Sequence, residues 1–356
     1  MCKSVFLNLL RNYFFWVLLV LLLGIDVYSI TDKAGRRNDE MAGHETVYAE
    51  FKGALSKDKI RKVVSRYQEL GEIVGNDDYS HEGGQPGTYT GYFAGDYGEF
   101  QEIFEEYKYR YEYASYAKGI MGKAAATDRI RQSFAGRKLD SYYDMEGPKE
   151  LLEHDLYTLL CVAFTIFCAC KIVVYDKKQN IYILLETCSL GMRRVMARKI
   201  FSLMLLVFLL VAVFSITNMA VFSRFYDLEG IHEPLYAMRE YKNTLFRGSV
   251  FQFWLIQALG VWIGCVLIGV ICMFFAAMLR EELYAVLLGV LLYVGFTTLF
   301  FRMICWANPV GLLAGFHLIR DMDLYWYVFA TVSGITVLCS GGLVWISGSY
   351  QISDHS

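Results

Sequence analysis

Cysteine is missing from the longest polar stretch of this chain. The sequence contains 9 cysteines in 356 residues, and none of them falls between positions 31 and 155. An exported domain held together by disulfides would carry its cysteines there, so this stretch must fold around a core of its own. The cysteines elsewhere lie mostly in apolar runs, where the thiol behaves as a small hydrophobic group.

Motifs for catalysis and for nucleotide binding are also lacking. The chain has no G-x-x-x-x-G-K-[ST] phosphate loop, no H-E-x-x-H and no G-x-S-x-G, which argues against an ATPase, a zinc protease and a serine hydrolase. Cys168 and Cys170 have no histidine or cysteine nearby at ligand spacing, and the histidines are scattered. We therefore predict no catalytic residue, no metal site and no cofactor in this chain. The net charge of -2 gives no basic field for nucleic acid.

Apolar runs dominate what is present. A bilayer core of about 30 Å needs roughly 20 helical residues, and six runs reach or approach that length: 13–30, 156–174, 200–222, 251–278, 283–301 and 325–346. In lipid the backbone must satisfy its own hydrogen bonds, so these runs are helices. The first run has a basic start like a signal peptide, but no A-x-A-like cleavage site follows it, and we expect a retained anchor.

Charge sets the expected orientation. The loop after the second run carries Lys171, Lys177, Lys178, Arg193, Arg194, Arg198 and Lys199 against only Asp176 and Glu186, and such loops stay in the cytoplasm. We therefore predict a multi-pass protein of the cell membrane with both termini cytoplasmic. Its expected parts are the N-terminus and first helix (1–30), an extracellular domain (31–155), helices 2–6 (156–348) with a cytoplasmic loop (175–199), and a short tail (349–356).

The extracellular domain is predicted to be small and mostly helical. Apolar residues recur at helical spacing after Ser56, a suitable N-cap, at Ile60, Val63, Val64, Tyr67 and Leu70. A second amphipathic helix is marked by Phe100, Ile103, Phe104, Tyr107 and Tyr111, and a third by residues 124–134, with a Gly-rich loop at 83–87. The tyrosine-rich stretch 107–116 is interpreted as a partly buried helix, with a ligand site as the alternative.

The cytoplasmic segment 181–199 combines apolar and basic residues in an unusual order. Apolar residues at 181–185 are followed by a small, polar break and then by four basic residues. This order indicates a short amphipathic helix at the membrane surface, a turn, and a helix that enters the bilayer. The apolar face of the first helix needs lipid or a partner groove to cover it. Interfacial packing and partner docking are both open at this point.

This segment resembles the coupling region of ABC-2-type ABC transporter permeases of the Gram-positive bacterial type. In that region an "LL…T…GR…K" run recurs, and its positions are matched here by Leu184, Leu185, Thr187, Gly191, Arg193 or Arg194, and Lys199. The stretch 176–180 departs from the family pattern because it lacks the expected acidic, Gly-bearing residues. Weaker likenesses follow in order at 232–260, 279–282 and 308–313, so the resemblance covers about 150 to 350.

The resemblance implies a permease subunit of an ABC exporter rather than an enzyme. A separate ATPase chain would bind ATP and Mg²⁺ and dock on coupling residues Leu184, Leu185, Glu186, Thr187, Gly191, Arg193, Arg194 and Lys199. A second permease chain would complete the transporter, and membrane lipid would surround it. Gly260 and Gly264 have the spacing for close helix packing, although small residues also occur by chance in apolar runs. The alternatives are a membrane sensor or scaffold whose extracellular domain binds a ligand or peptide, and a membrane enzyme.

Overall fold

The chain folds into two compact units. A computed structural model describes residues 11–40, 44–80, 91–124, 126–178, 191–279, 282–302 and 322–353. One unit, called here the apolar unit, comprises Met1–Thr31, Glu150–Arg224 and Phe251–Ser356. The other, the polar unit, comprises Asp32–Lys149 and Phe225–Val250. The polar unit therefore includes a second, distant piece of chain that the sequence analysis treated only as a loop between membrane helices.

Helices make up most of the described chain. In order, its elements are α1 (Tyr13–Glu40), α2 (His44–Phe51), β1 (Gly53–Ala54), α3 (Lys57–Ser80), α4 (Gly91–Met121), α5 (Asp128–Phe134), β2 (Ser141–Tyr142), α6 (Glu146–Glu153), α7 (Leu156–Lys178), α8 (Gly191–Phe225), α9 (Val250–Met278), α10 (Glu282–Arg302) and α11 (Met322–Ser353). Short 3₁₀ turns at Glu229–His232, Leu235–Ala237 and Arg239–Tyr241 lie between α8 and α9.

Five helical segments in the described residues are long and apolar enough to cross a membrane. They are Tyr13–Arg36, Glu146–Val173, Arg193–Phe225, Val250–Met278 and Tyr327–Ile346. The predicted fifth span corresponds to a shorter apolar helix, Leu283–Thr298. The prediction of a mostly helical membrane protein is thus confirmed. The count of six spans and the extracellular position of the polar unit stay predictions.

The core of the polar unit is aromatic. Helix α3 begins directly after Ser56, whose hydroxyl accepts a hydrogen bond from the Lys59 backbone N–H at 3.2 Å, as its predicted N-cap role requires. Val63 is 1% exposed, and the ring of Tyr67 stacks on Phe104 of α4 at 4.1 Å between centroids. These contacts join α3 to α4 along the faces that helical spacing predicted.

The residues predicted to lie on the buried faces of α3 and α4 were wrong at two positions. The third predicted helix is also shorter than expected. Val64 and Tyr111 are 38% and 65% exposed. On α4 the buried stripe continues from Tyr107 to Arg110 and Tyr113 instead, because positions three or four apart share one face of a helix. The third helix begins at Asp128 after an N-cap at Thr127, rather than at position 124. The predicted loop at 83–87 lies outside the described residues.

Tyrosines of α4 hold the return segment, defined here as residues 225–250. The Tyr109 hydroxyl donates to the Tyr236 carbonyl at 2.8 Å, and the Tyr113 hydroxyl donates to the Lys242 carbonyl at 3.2 Å. The Tyr113 and Tyr236 rings also stack at 5.0 Å. These contacts support the structural interpretation of the tyrosine-rich stretch, because its hydroxyls are used to pair backbone carbonyls.

A buried arginine fixes the end of the same segment. Arg137, 4% exposed, donates from its guanidinium to the Thr244 carbonyl at 2.8 Å and to the Ser133 carbonyl at 2.8 Å. Its guanidinium also lies over the Tyr236 ring, 4.6 Å from the centroid. A planar cation with a fork of donors suits this role, because it can serve several carbonyls and an aromatic face together. The return segment is therefore an integral part of the polar unit.

We predict that Arg137→Met destabilises the polar unit by about 2–4 kcal/mol, because several backbone carbonyls lose charged hydrogen-bond donors. Arg131→Met is the matched control, since Arg131 lies in the neighbouring helix α5 and is exposed. Hydrogen exchange of 236–247 in the purified full-length protein measures the effect. Equal exchange rates in the two variants would contradict the assigned role of Arg137.

We also predict that the stability of the polar unit depends on pH in the alkaline range. Burial raises the pKa of Tyr109 well above its usual range, so the folded state keeps this phenol protonated where the unfolded chain would lose the proton. The resulting stabilisation is complete below the ordinary tyrosine pKa of about 10 and declines as pH rises beyond it. The thermal midpoint of Tyr109→Phe should therefore fall less steeply above about pH 10 than that of the unmodified protein. A parallel decline in both proteins would refute this.

Candidate functional site: a buried ion pair and a basic helix end

The predicted coupling residues are only partly within the described structure. Leu184, Leu185, Glu186 and Thr187 lie outside the described residues. Gly191 is the first residue of helix α8, and the turn predicted before this helix lies outside the described residues.

The basic residues of this region divide into exposed and buried ones. Arg193 and Arg194 are exposed in the first turn of α8, so their charges are available at one end of that helix. Lys199, two turns further on, is 6% exposed. A buried lysine is suited to packing within the apolar unit and not to contact with a separate chain. The exposed part of the predicted coupling set is therefore the Arg193–Arg194 pair.

The predicted packing glycines lie inside the apolar unit. Gly260 and Gly264 of helix α9 are both buried. A very close approach occurs further along the same helix at Gly269, where an added Cβ would lie 2.9 Å from the Leu203 side chain of α8 and 3.0 Å from Thr165 of α7. Contacts this short leave no room for a methyl group, so α7, α8 and α9 pack closely at that level.

A buried carboxylate–imidazole pair is the feature of the apolar unit with the clearest chemistry. Asp26 of helix α1 is 0% exposed and His154, between α6 and α7, is 2% exposed. Asp26 Oδ1 and His154 Nε2 lie 2.8 Å apart. A charge inside a membrane span is costly, and such residues usually mark a functional site with a paired group.

The surroundings of the pair come from three further helices. His154 stacks on Tyr157 of α7 at 6.3 Å and meets Phe222 of α8 edge-on at 5.6 Å. Cys161 of α7, one turn beyond Tyr157, is also buried. From α9, the Gln257 side-chain amide donates to the Leu152 carbonyl at 3.0 Å, two residues before His154. The pair therefore joins α1 to the packed group of α7, α8 and α9.

The pair is joined by a hydrogen bond between its side chains. The 2.8 Å separation of Asp26 Oδ1 and His154 Nε2 lies within the usual range for such a bond. Among the described residues, no three histidine, cysteine or acidic side chains are close enough together to hold a metal ion. The hydrogen bond links helix α1 to the residues that precede α7.

The site was not predicted from the sequence. Asp26 is the single charge in the first apolar run and lies near the end of that run. His154 is 128 positions away in sequence and carries no motif. The available signal was Asp26 itself, because an acidic residue within an apolar run requires a partner.

The polar unit has a cleft of its own. Its volume is about 460 Å³, and its lining includes Ile103, Tyr142, Met238, Arg239 and Glu240. Arg239 contacts Glu105 at 3.1 Å, and Lys149 contacts Glu240 at 2.5 Å. The size falls within the range of ~300–1,000 Å³ that is usual for small-molecule sites.

Comparison with protein-family models, with curated proteins and with solved structures finds no match for this chain.

We predict that Asp26→Asn and His154→Gln each lower the stability of the apolar unit by about 1–3 kcal/mol, because each substitution breaks the contact between the two side chains and leaves a buried polar group without its partner. The double variant Asp26→Leu/His154→Phe should be closer to the unmodified protein than either single variant, since it removes both groups. Thermal unfolding of the protein in lipid nanodiscs measures all three.

The exposed ion pair Lys138–Asp140 provides the control, with side chains 68% and 66% exposed. Lys138→Ala should leave the unfolding midpoint unchanged, because solvent screens such a pair. If the double variant were as unstable as the two single variants combined, the pair would not be the interaction that these substitutions remove.

Proposed function

We propose that this protein is the membrane-spanning permease subunit of an ABC exporter of the ABC-2 type in the cell membrane. In this proposal it moves a substrate across the membrane with ATP that a separate ATPase chain hydrolyses. The apolar spans supply the membrane part, and in this proposal the ATP and Mg²⁺ bind to the partner, because the sequence has no phosphate loop. The observation that carries the proposal is the form of helix α8.

Helix α8 is long and uninterrupted. It runs from Gly191 to Phe225 over 35 residues, which corresponds to about 52 Å at ~1.5 Å per residue. Its first turn carries the exposed Arg193 and Arg194. Its last turns carry Phe222, whose ring contacts His154. A continuous helix transmits a displacement at one end to the other, so a partner that pushes on the basic end would move the residues around the buried pair.

This arrangement supplies the two ends that coupling requires. The basic end is the docking point for an acidic groove on the ATPase, with Leu184 and Leu185 as the expected apolar contact and Glu186 and Thr187 as polar ones. The far end meets the Asp26–His154 pair, which is either intact or broken. Coupling between distant sites needs an element with discrete arrangements of this kind.

The remaining parts of the proposal follow from charge and family likeness. The basic loop 175–199 is cytoplasmic under the positive-inside rule, which puts both termini in the cytoplasm and the polar unit outside. A second permease chain, identical or different, pairs with this one in the membrane.

A membrane sensor or scaffold is the alternative function. The cleft in the polar unit favours it, because a cavity of about 460 Å³ lined by tyrosine, methionine and charged residues suits a ligand or peptide. A sensor would respond to that ligand without a bound ATPase, and this difference makes the two functions separable by experiment.

Arg193→Ala/Arg194→Ala is the direct test. The variant is co-expressed with its ATPase, which co-purification identifies. It should stimulate ATP hydrolysis at least about fivefold less than the unmodified protein does, and a fivefold loss corresponds to the weaker end of usual coupling energies. Expression level and membrane insertion should be unchanged, because both side chains are exposed.

Arg224→Ala is the matched control. Arg224 is also exposed and lies at the opposite end of the same helix, so it tests whether any loss of helix charge has the same effect. Equal stimulation by the two variants would remove the basic end of α8 from the mechanism. Failure of any ATPase to co-purify, or protease cleavage of 181–199 from outside the cell, would favour the sensor.

A further inference from the structure

Several buried polar atoms in the apolar unit have no hydrogen-bond partner in the described protein. They include Asp26 Oδ2, Gln257 Oε1, Asn218 Oδ1 and Ser215 Oγ. The residues that carry them are 0%, 2%, 3% and 7% exposed. Among the described residues of the polar unit, by contrast, no buried side-chain oxygen or nitrogen lacks a partner. The feature is therefore specific to the apolar unit.

These four atoms lie on Asp26 itself and on helices α8 and α9 next to the pair, whereas the other two, Thr165 Oγ1 and Ser333 Oγ, lie further along α7 and on α11. Gln257 reaches the Leu152 carbonyl, two residues from His154. Asn218 lies one turn before Phe222 on the same face of α8, and the Phe222 ring is 5.6 Å from His154. Ser215 precedes Asn218 by a further turn on that face. The polar atoms thus continue from the pair along α8 and α9.

Such a group needs hydrogen-bond donors. Asp26 Oδ2, Gln257 Oε1 and Asn218 Oδ1 are all acceptors, and each buried acceptor without a donor costs about 1–3 kcal/mol, more for a charged one. Lipid tails contain no donors, and residues this deeply buried are out of reach of another chain. Water is small enough to enter and can donate two hydrogen bonds, and polar cavities in proteins are filled by it in this way.

We propose that the apolar unit contains an internal water site lined by Asp26, Gln257 and Asn218. Its waters donate to the three unpaired oxygens and give the Asp26–His154 pair contact with exchangeable protons. Ser215 extends the site along α8. The proposal does not depend on transport, because it rests only on the buried polar atoms and their positions.

Two native cysteines of helix α7 allow a test on the unmodified full-length protein. Cys161 and Cys170 are both 0% exposed, but Cys161 follows His154 by seven positions, whereas Cys170 lies nine residues, or about 13 Å, further along the helix. Protein in lipid nanodiscs is treated with Ag⁺, a small hydrated cation that binds thiols, then unfolded and alkylated. Mass spectrometry with fragmentation measures the unreacted fraction at each position.

We expect Cys161 to react at least about tenfold faster than Cys170, a ratio equivalent to ~1.4 kcal/mol of easier access. Asn218→Leu should slow the reaction of Cys161 with Ag⁺ and leave the reaction rate of Cys170 unchanged, because it replaces one hydrogen-bond acceptor with an apolar group and alters no charge. If Cys161 and Cys170 were equally inert, the site would be dry. If both reacted equally fast, Ag⁺ would be entering the helix bundle generally. Either result overturns the proposal.

Discussion

The pairing of buried charge is the constraint on which both units depend. In the polar unit, Arg110 is 1% exposed and donates to the Ser141 and Tyr143 carbonyls at 2.6 and 2.9 Å. In the apolar unit, the Asp26 carboxyl group is paired with His154. Removing a charge from water costs several kcal/mol, which only well-placed partners offset. Each unit is therefore organised around groups that cannot move without leaving a charge exposed to an apolar environment.

The two units meet this constraint in different ways. The polar unit uses backbone carbonyls as partners, so its arginines and tyrosines fix pieces of chain that are distant in sequence. Arg137, for example, bonds to Thr244 more than 100 positions away. Helices in the apolar unit have already used most of their carbonyls internally, so few remain for buried side chains. Asp26 pairs with another side chain, and Gln257 reaches the Leu152 carbonyl at 3.0 Å. Buried side chains in the apolar unit therefore have fewer hydrogen-bond partners within reach. This shortage explains why some of their oxygens are unpaired.

Local patterns in the sequence predicted local structure well. Long apolar runs predicted the helices of the apolar unit, and the Ser56 cap with its helical spacing predicted the start of α3. Long-range pairing was not predictable from spacing. The return segment has balanced charge and no periodicity, and its place in the polar unit depends on carbonyls that carry no residue-specific signal. Asp26 was visible as a lone charge, whereas its partner His154 could be found only from the fold.

The position of the pair relative to helix α8 limits how the apolar unit can move. A hydrogen bond weakens steeply as its distance and angle depart from ideal values, so the 2.8 Å contact between Asp26 and His154 tolerates little strain. The Phe222 ring lies against His154, and a rigid helix carries it along with any axial shift. An axial shift of α8 would therefore press the Phe222 ring against His154 and strain the contact between Asp26 and His154.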